Sequence, residues 1–220
     1  MHLQLTILAF DTTGTQDSLS LYHKGMMTSK VLPTGGSQLQ SSILIPSLQD
    51  LLREQKLTFQ NIDVLTTVSG PGSFTGIRIG LATAQGLLIA GKYRPVFPTL
   101  LEILAFVARR KNPSSKILSL IDSKRDDYFC QIFDSNLIPA QAATTISEAN
   151  IHQLTKPFVM VSTHPIPSLP DIIVPTQSVA ELLIEFCLEI ALKDDTDQYQ
   201  TMAPFYIRHP EFKKQKRFLS

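Results

Sequence analysis

Residues 7–12, Ile-Leu-Ala-Phe-Asp-Thr, and residues 117–123, Ile-Leu-Ser-Leu-Ile-Asp-Ser, decide the architecture. Each is an apolar run of strand length that stops at an aspartate and enters a hydroxyl-bearing turn. After the first run, Asp11-Thr12-Thr13-Gly14 turns the chain, and Ser18–Tyr22 returns as a second strand towards a hairpin end at Lys24-Gly25. After the second run, Tyr128–Phe133 returns in the same way. The echo is faint, but its order is the same in both halves, and it indicates an internal duplication at about half the chain length.

Between the two runs, Leu39, Ile43, Leu44, Leu48, Leu51 and Leu52 form a helical stripe over Ser37–Arg53, which Pro46 is expected to kink or split. Ile62–Val68 reads as a buried strand, followed by Ser69-Gly70-Pro71-Gly72-Ser73-Phe74-Thr75-Gly76 and a helix to about Ala90. In that helix Gly76, Gly80 and Ala84 recur every fourth position, making a shallow face on which another element can approach closely. Arg94–Pro98 reads as a short strand, and Thr99 with Glu102 makes a capping box for a helix through Arg110. The second half supplies a short helix near Ser147–Leu154 and a strand Phe158–Val161. A helix Ser178–Leu192 follows, with a Ser178/Glu181 capping box and an acidic stripe of Glu181, Glu185 and Glu189. Alternating strands and helices predict an α/β protein of two lobes, residues 1–110 and 111–220, cut at Lys111–Ser115, with residues 203–220 available to pack back on the first lobe.

The chain has 220 residues and a net charge of +1, so bulk charge points neither towards nucleic acid nor away from it. Its 18% of charged residues is below the usual ~25%, which suits a surface partly given to contacts. Lys and Arg concentrate in the last residues, 208–220, where RNA phosphate, an acidic partner or plain solvent are the alternatives. Cys130 and Cys187 form no CxxC and read as reduced, buried thiols. No Lys or Arg precedes the N-terminal apolar run, which reads as a first strand and not a signal peptide. The charge-free stretch Val64–Ile77 is broken by Gly70-Pro71-Gly72, so no membrane span is expected and a cytoplasmic protein is.

The loop 69–76 has two readings. Free N–H groups at a helix N-terminus can hold phosphate, but the loop lacks the Lys of GxxxxGK[ST], and Thr75 replaces the third glycine of GxGxxG. The other reading is a tight turn with close packing, and Arg78 could meet an anion or a carboxylate. Asp11 and Asp122 end the two opening strands. They suit either a metal–phosphate cleft or hydrogen bonds to their own turns. His2, His23, His152, His164 and His209 show no metal-binding spacing, so no metal is expected.

Four segments, ILAFDTT at 7–13, SGPGSFTGIRIGLATAQGL at 69–87, ILSLIDSKRDDYF at 117–129 and APFYIR at 203–208, together resemble the TsaB (YeaZ) family. The resemblance spans essentially the whole chain. It implies a two-lobed actin-like, ribonuclease-H-like fold. It also implies a non-catalytic scaffold that binds a TsaD-type enzyme forming N6-threonylcarbamoyladenosine in tRNA, with TsaE joining and a homodimer forming when the protein is alone. No cofactor of its own is implied, and nucleotide only at a partner interface. Carried onto this chain, the interface is the helices Ser37–Arg53 and Thr75–Ala90, with Leu39, Ile43, Gly76, Gly80, Ala84 and Leu87 as contacts. Gly70, Pro71, Gly72, Ser73, Thr75, Gly76 and Arg78 are the family-signature loop, and Asp11 and Asp122 vestigial phosphate turns. The histidine that many relatives keep early in the first helix is missing from Gly35-Gly36-Ser37-Gln38-Leu39. The alternative raised by the residues themselves is an independent actin-like ATP-dependent enzyme or a glycoprotease-like hydrolase.

Overall fold

A computed structural model describes residues 5–33, 36–154, 158–193 and 199–208, with backbone alone at 36–39 and 191–193. The opening run is β1 (Ile7–Asp11), antiparallel to β2 (Ser18–His23), which pairs with β3 (Met26–Val31). The β2–β3 loop is two residues long, with positive φ at Lys24 (48°) and Gly25 (83°). That is the primed turn whose twist matches paired strands. The helix α1 (Gly36–Glu54) leads to β4 (Val64–Thr66), α2 (Phe74–Ala90), β5 (Arg94–Val96) and α3 (Leu100–Lys111). The second half begins with β6 (Lys116–Asp122), antiparallel to β7 (Asp127–Phe133), which pairs with β8 (Thr144–Ser147). Then come α4 (Glu148–Leu154), β9 (Phe158–Ser162) and α5 (Val179–Lys193).

The sheet orders are β3-β2-β1-β4-β5 and β8-β7-β6-β9. In both, the opening strand sits between an antiparallel hairpin partner and a parallel strand. The faint sequence echo is thus a repeat of topology, the second copy lacking the outer parallel strand among the described residues.

The opening strands are buried on both faces, and strand alternation assigns each face a different core. Leu8 and Phe10 pack with Leu44, Leu48, Leu51 and Leu52 of α1 and with Ala84 and Leu87 of α2. Ile7 and Ala9 face the middle layer, where α3 and α5 meet Ile117, Ile121 and Phe133 of the second sheet. Leu118 and Leu120 face a smaller outer core with Ile151 of α4. The result is five layers: helices, sheet, helices, sheet, helix.

One expectation needs correction. Pro46 does not divide its helix, because α1 runs unbroken over 19 residues. Pro46 lies on the exposed side of the helix, where the N–H that proline lacks is least costly. The cut at residue 110 separates the two sheets but not the helices. α3 leans on β6, β7 and β9, while α5 packs on β1, β2, β3 and β4. The acidic stripe of α5 serves this exchange, since Glu189 and Glu185 accept from Arg109 and Arg110 of α3.

Candidate functional site

Between the lobes lies a cleft of about 600 Å³ lined by both opening turns, the loop after β4, and the segment Phe205–Arg208. Asp11 ends β1 at its floor. Its Oδ1 accepts from the Thr13 N–H (2.9 Å) and Thr13 Oγ1 (2.7 Å), the local turn bonding that an aspartate before two threonines invites. Its Oδ2 is buried with no hydrogen-bond partner among the described residues. Burial pushes the carboxyl up to about 6, against the pull of the Thr13 bonds. Asp17 is also raised by burial, partly offset by Gln40, whose side-chain amide donates to Oδ1 at 2.8 Å.

Asp122, at the end of β6, lines the same cleft in a different state. Its Oδ1 accepts from the Lys124 N–H (2.7 Å) and its Oδ2 pairs with the Lys124 ammonium (2.8 Å). The Lys124 hydrogen bond is the main reason its carboxyl sits below the usual range. Both aspartates expected at the site do reach it, but only Asp11 keeps a buried oxygen unpaired.

The signature loop packs against the chain itself. A Cβ on Gly76 would lie 1.8 Å from the Thr12 carbonyl oxygen, and one on Gly72 2.8 Å from that of Thr13. The Thr12 hydroxyl in turn donates to the Gly76 carbonyl at 2.7 Å. Ser73 caps α2 by accepting from the Gly76 N–H, and donates its own N–H to the Thr13 carbonyl. Pro71 and Ser73 line the cleft, while Thr75 is exposed on the first turn. Arg78 lies 3.8 Å over the Phe74 ring and donates Nε–H to Tyr206 Oη at 3.2 Å.

The residues expected as interface contacts on α2 take part in this packing. Gly76, Gly80, Ala84 and Leu87 all face inward. A Cβ on Gly80 would meet Thr12 Oγ1 at 2.8 Å, and Ala84 is fully buried. The small residues let α2 approach its own lobe's opening turn; they are not open to another chain. Ile43 is half-buried, and the side chain of Leu39 lies outside the described residues. The helices' outward side carries Ser42, Pro46 and Gln49 on α1 and Ala82, Gln85, Gly86 and Ile89 on α2, with Ile89 83% exposed.

The sequence offered residues 203–220 as a segment able to pack back on the first lobe, but not the part that Phe205–Arg208 play in lining the cleft. Only the APFYIR segment hinted at it. Residues 209–220, most of the basic tail, lie outside the described residues. Cys130 and Cys187 are free and buried, with burial pushing their thiols up to about 11 and about 12. Among the described residues there is no group of three or more His, Cys, Asp or Glu placed to hold a metal. No helix there is long and apolar enough to cross a membrane.

Residues 23–163 match the family described as TsaD: tRNA N6-adenosine threonylcarbamoyltransferase. The chain is 31% identical to the tRNA threonylcarbamoyladenosine biosynthesis protein TsaB of Escherichia coli, over 57% of this chain and 53% of that protein. It is 31% identical to the Haemophilus influenzae protein of the same name, over 58% and 54%. The chain thus spans about half the length of the curated relatives it matches. The structure of YeaZ from Pseudomonas aeruginosa superposes with a TM-score of 0.68 at 22% identity, covering 92% of this chain and 99% of that one. The resemblance to TsaB (YeaZ) and the two-lobed actin-like fold are both borne out.

Proposed function

The chain belongs to the family described as TsaD: tRNA N6-adenosine threonylcarbamoyltransferase, and from that premise we propose that it is a non-catalytic member of the machinery that makes N6-threonylcarbamoyladenosine in tRNA. In this reading it docks on a TsaD-type subunit through the outward faces of α1 and α2, and supports that subunit's chemistry.

The observation that carries the reading is the character of this helix pair. α1 has three charged residues, Asp50, Arg53 and Glu54, all at its C-terminal end, and α2 has one, Arg78. The two helices touch and cover one face of the first sheet. A solvent-facing helix normally opposes its apolar stripe with charge. Here the outward side offers small, weakly polar and apolar groups, the composition suited to a desolvated contact. The same face suits a homodimer when no partner is present. TsaE, an ATPase in the family's machinery, belongs to the same reading as a further subunit.

Light scattering after size-exclusion chromatography tests this, with the chain alone and mixed with a TsaD-type subunit. Ile89→Lys and Ala82→Glu should abolish a one-to-one complex, while Ile138→Lys, 60% exposed in the second half, should leave it intact. A complex indifferent to both α2 variants would place the interface elsewhere. Reconstituted modification that does not increase on adding the chain would overturn the supporting role.

A second reading, an enzyme acting alone on ATP, rests on the unpaired Oδ2 of Asp11 in the cleft. Calorimetric heat with ATP and magnesium that is lost in Asp11→Ala would favour it, and no heat would count against it.

A further inference from the structure

We propose that residues 199–208 are a latch that holds the two lobes together on their cleft side and covers Asp11. Beyond Tyr199 the segment has no regular secondary structure, yet it is fixed at both ends. On the first lobe the Tyr199 carbonyl accepts from the Phe97 N–H at 2.8 Å, just beyond β5. The Phe205 N–H donates to the Ser69 carbonyl at 2.8 Å. The Phe205 carbonyl oxygen occupies the space 2.6 Å from where a Cβ of Gly70 would stand. Gly70 also has φ +126°, so its identity is set by both the backbone and the latch lying on it. The Tyr206 ring lies 5.1 Å from Phe74 and its hydroxyl accepts from Arg78, so the contact spans 128 positions of sequence.

The other end belongs to the second lobe. The Arg208 guanidinium pairs with Asp127, the first residue of β7, whose other oxygen accepts from the Ser123 hydroxyl. Phe205 and Ile207 lean on the middle core between these anchors. Phe205, Tyr206, Ile207 and Arg208 all line the cleft that contains Asp11 and Asp122.

Two features make this a latch and not part of the scaffold. The lobes are already joined by the exchanged helices α3 and α5, whose buried contacts lie in the middle layer. At the cleft mouth the latch is tied by the Tyr206 contacts with Phe74 and Arg78 on one lobe and by the Arg208–Asp127 ion pair on the other, all at least partly exposed. Residues 200, 201, 203 and 204 between its anchors are exposed, the character of a segment that opens locally at low cost. Releasing Arg208 from Asp127 would leave the scaffold intact and open one wall over the unpaired Asp11 oxygen.

Native-state hydrogen exchange on the full chain tests the latch. Arg208→Ala should make amides of the turn residues 12–16 and 123–126 exchange about tenfold faster, with β1 and β6 unchanged and Arg208→Lys restoring much of the protection. Tyr206→Phe, which removes only the bond from Arg78, should give the same pattern more weakly. Faster exchange confined to 199–208, or no change at all, would make the segment a surface appendage. Protection lost equally in β1 and β6 would make it part of the scaffold. Either result overturns the proposal.

Discussion

The turn after β1 and the turn after β6 are copies in topology and opposites in chemistry. Asp11 is 1% exposed, half-unpaired and pushed up to about 6 by burial. The Asp122 side chain is 44% exposed, paired with Lys124 and held below the ordinary range. The cause lies downstream of each turn. In the first lobe β4 is followed by the Gly-rich loop and α2, whose first turn packs onto Thr12 and Thr13. In the second lobe β9 is followed by the irregular stretch 163–178, so nothing equivalent closes over Asp122. A duplicated strand and aspartate therefore do not carry a duplicated site; the element that seals the turn decides its ionisation.

The most forceful way to break this contrast is to unseal the first turn. Gly76→Val places carbon against the Thr12 carbonyl and should cost about 4 kcal/mol or more in urea unfolding. Gly86→Ala on the same helix meets nothing within 4 Å and should stabilise by about 0.5–1 kcal/mol. Equal effects from the two would refute the sealing account.

Next in size is the pH response. A folded pKa raised from 3.8 to about 6 means that Asp11 costs nothing when protonated in both states, and its full cost appears as pH rises past about 6. That cost is about 3 kcal/mol at neutral pH. Asp11→Asn keeps an acceptor for Thr13 but leaves an amide N–H to be satisfied, so a gain of roughly 1–2 kcal/mol at neutral pH is expected. The slope of stability between pH 4 and 6 should flatten in the same variant. Asp122 has the opposite sign. Its contribution is present above pH 3.8 and is lost as pH falls through its lower folded value. Asp122→Asn should change stability at neutral pH by no more than about 0.5 kcal/mol. Unfolding midpoints across pH for the two variants would expose any symmetry.

A smaller effect tests how the halves are joined. Glu189→Ala removes the α5 partner of Arg109, a pair about a quarter exposed, and should cost about 1 kcal/mol or less. In an Arg109→Ala background the loss should shrink, as expected for a direct pair.

Much of the fold was legible because its signals are local. The Thr99/Glu102 and Ser178/Glu181 capping boxes form as their spacing predicts. The hairpin end at Lys24-Gly25 is the turn its residues favour. The strands β3 and β8 escaped notice because Met26–Val31 and Thr144–Ser147 lie at sheet edges, where burial imposes little alternation. The site was legible only in part. Asp11 and Asp122 line one cleft, and the stripe Gly76, Gly80, Ala84 was legible as a close-approach face, but not that Thr12 lies against it. A four-residue period defines a face and its shallowness without naming what lies against it.

By itself, then, the sequence determined the repeated strand–aspartate–turn–strand unit, the helix boundaries set by caps and the family resemblance, because each rests on residues a few positions apart. Tertiary structure alone decided that α3 and α5 cross between lobes, that α2 turns its small residues inward, that two similar aspartates ionise differently, and that Tyr206 meets Arg78. Those outcomes depend on burial and on contacts between distant segments, and local periodicity does not encode either.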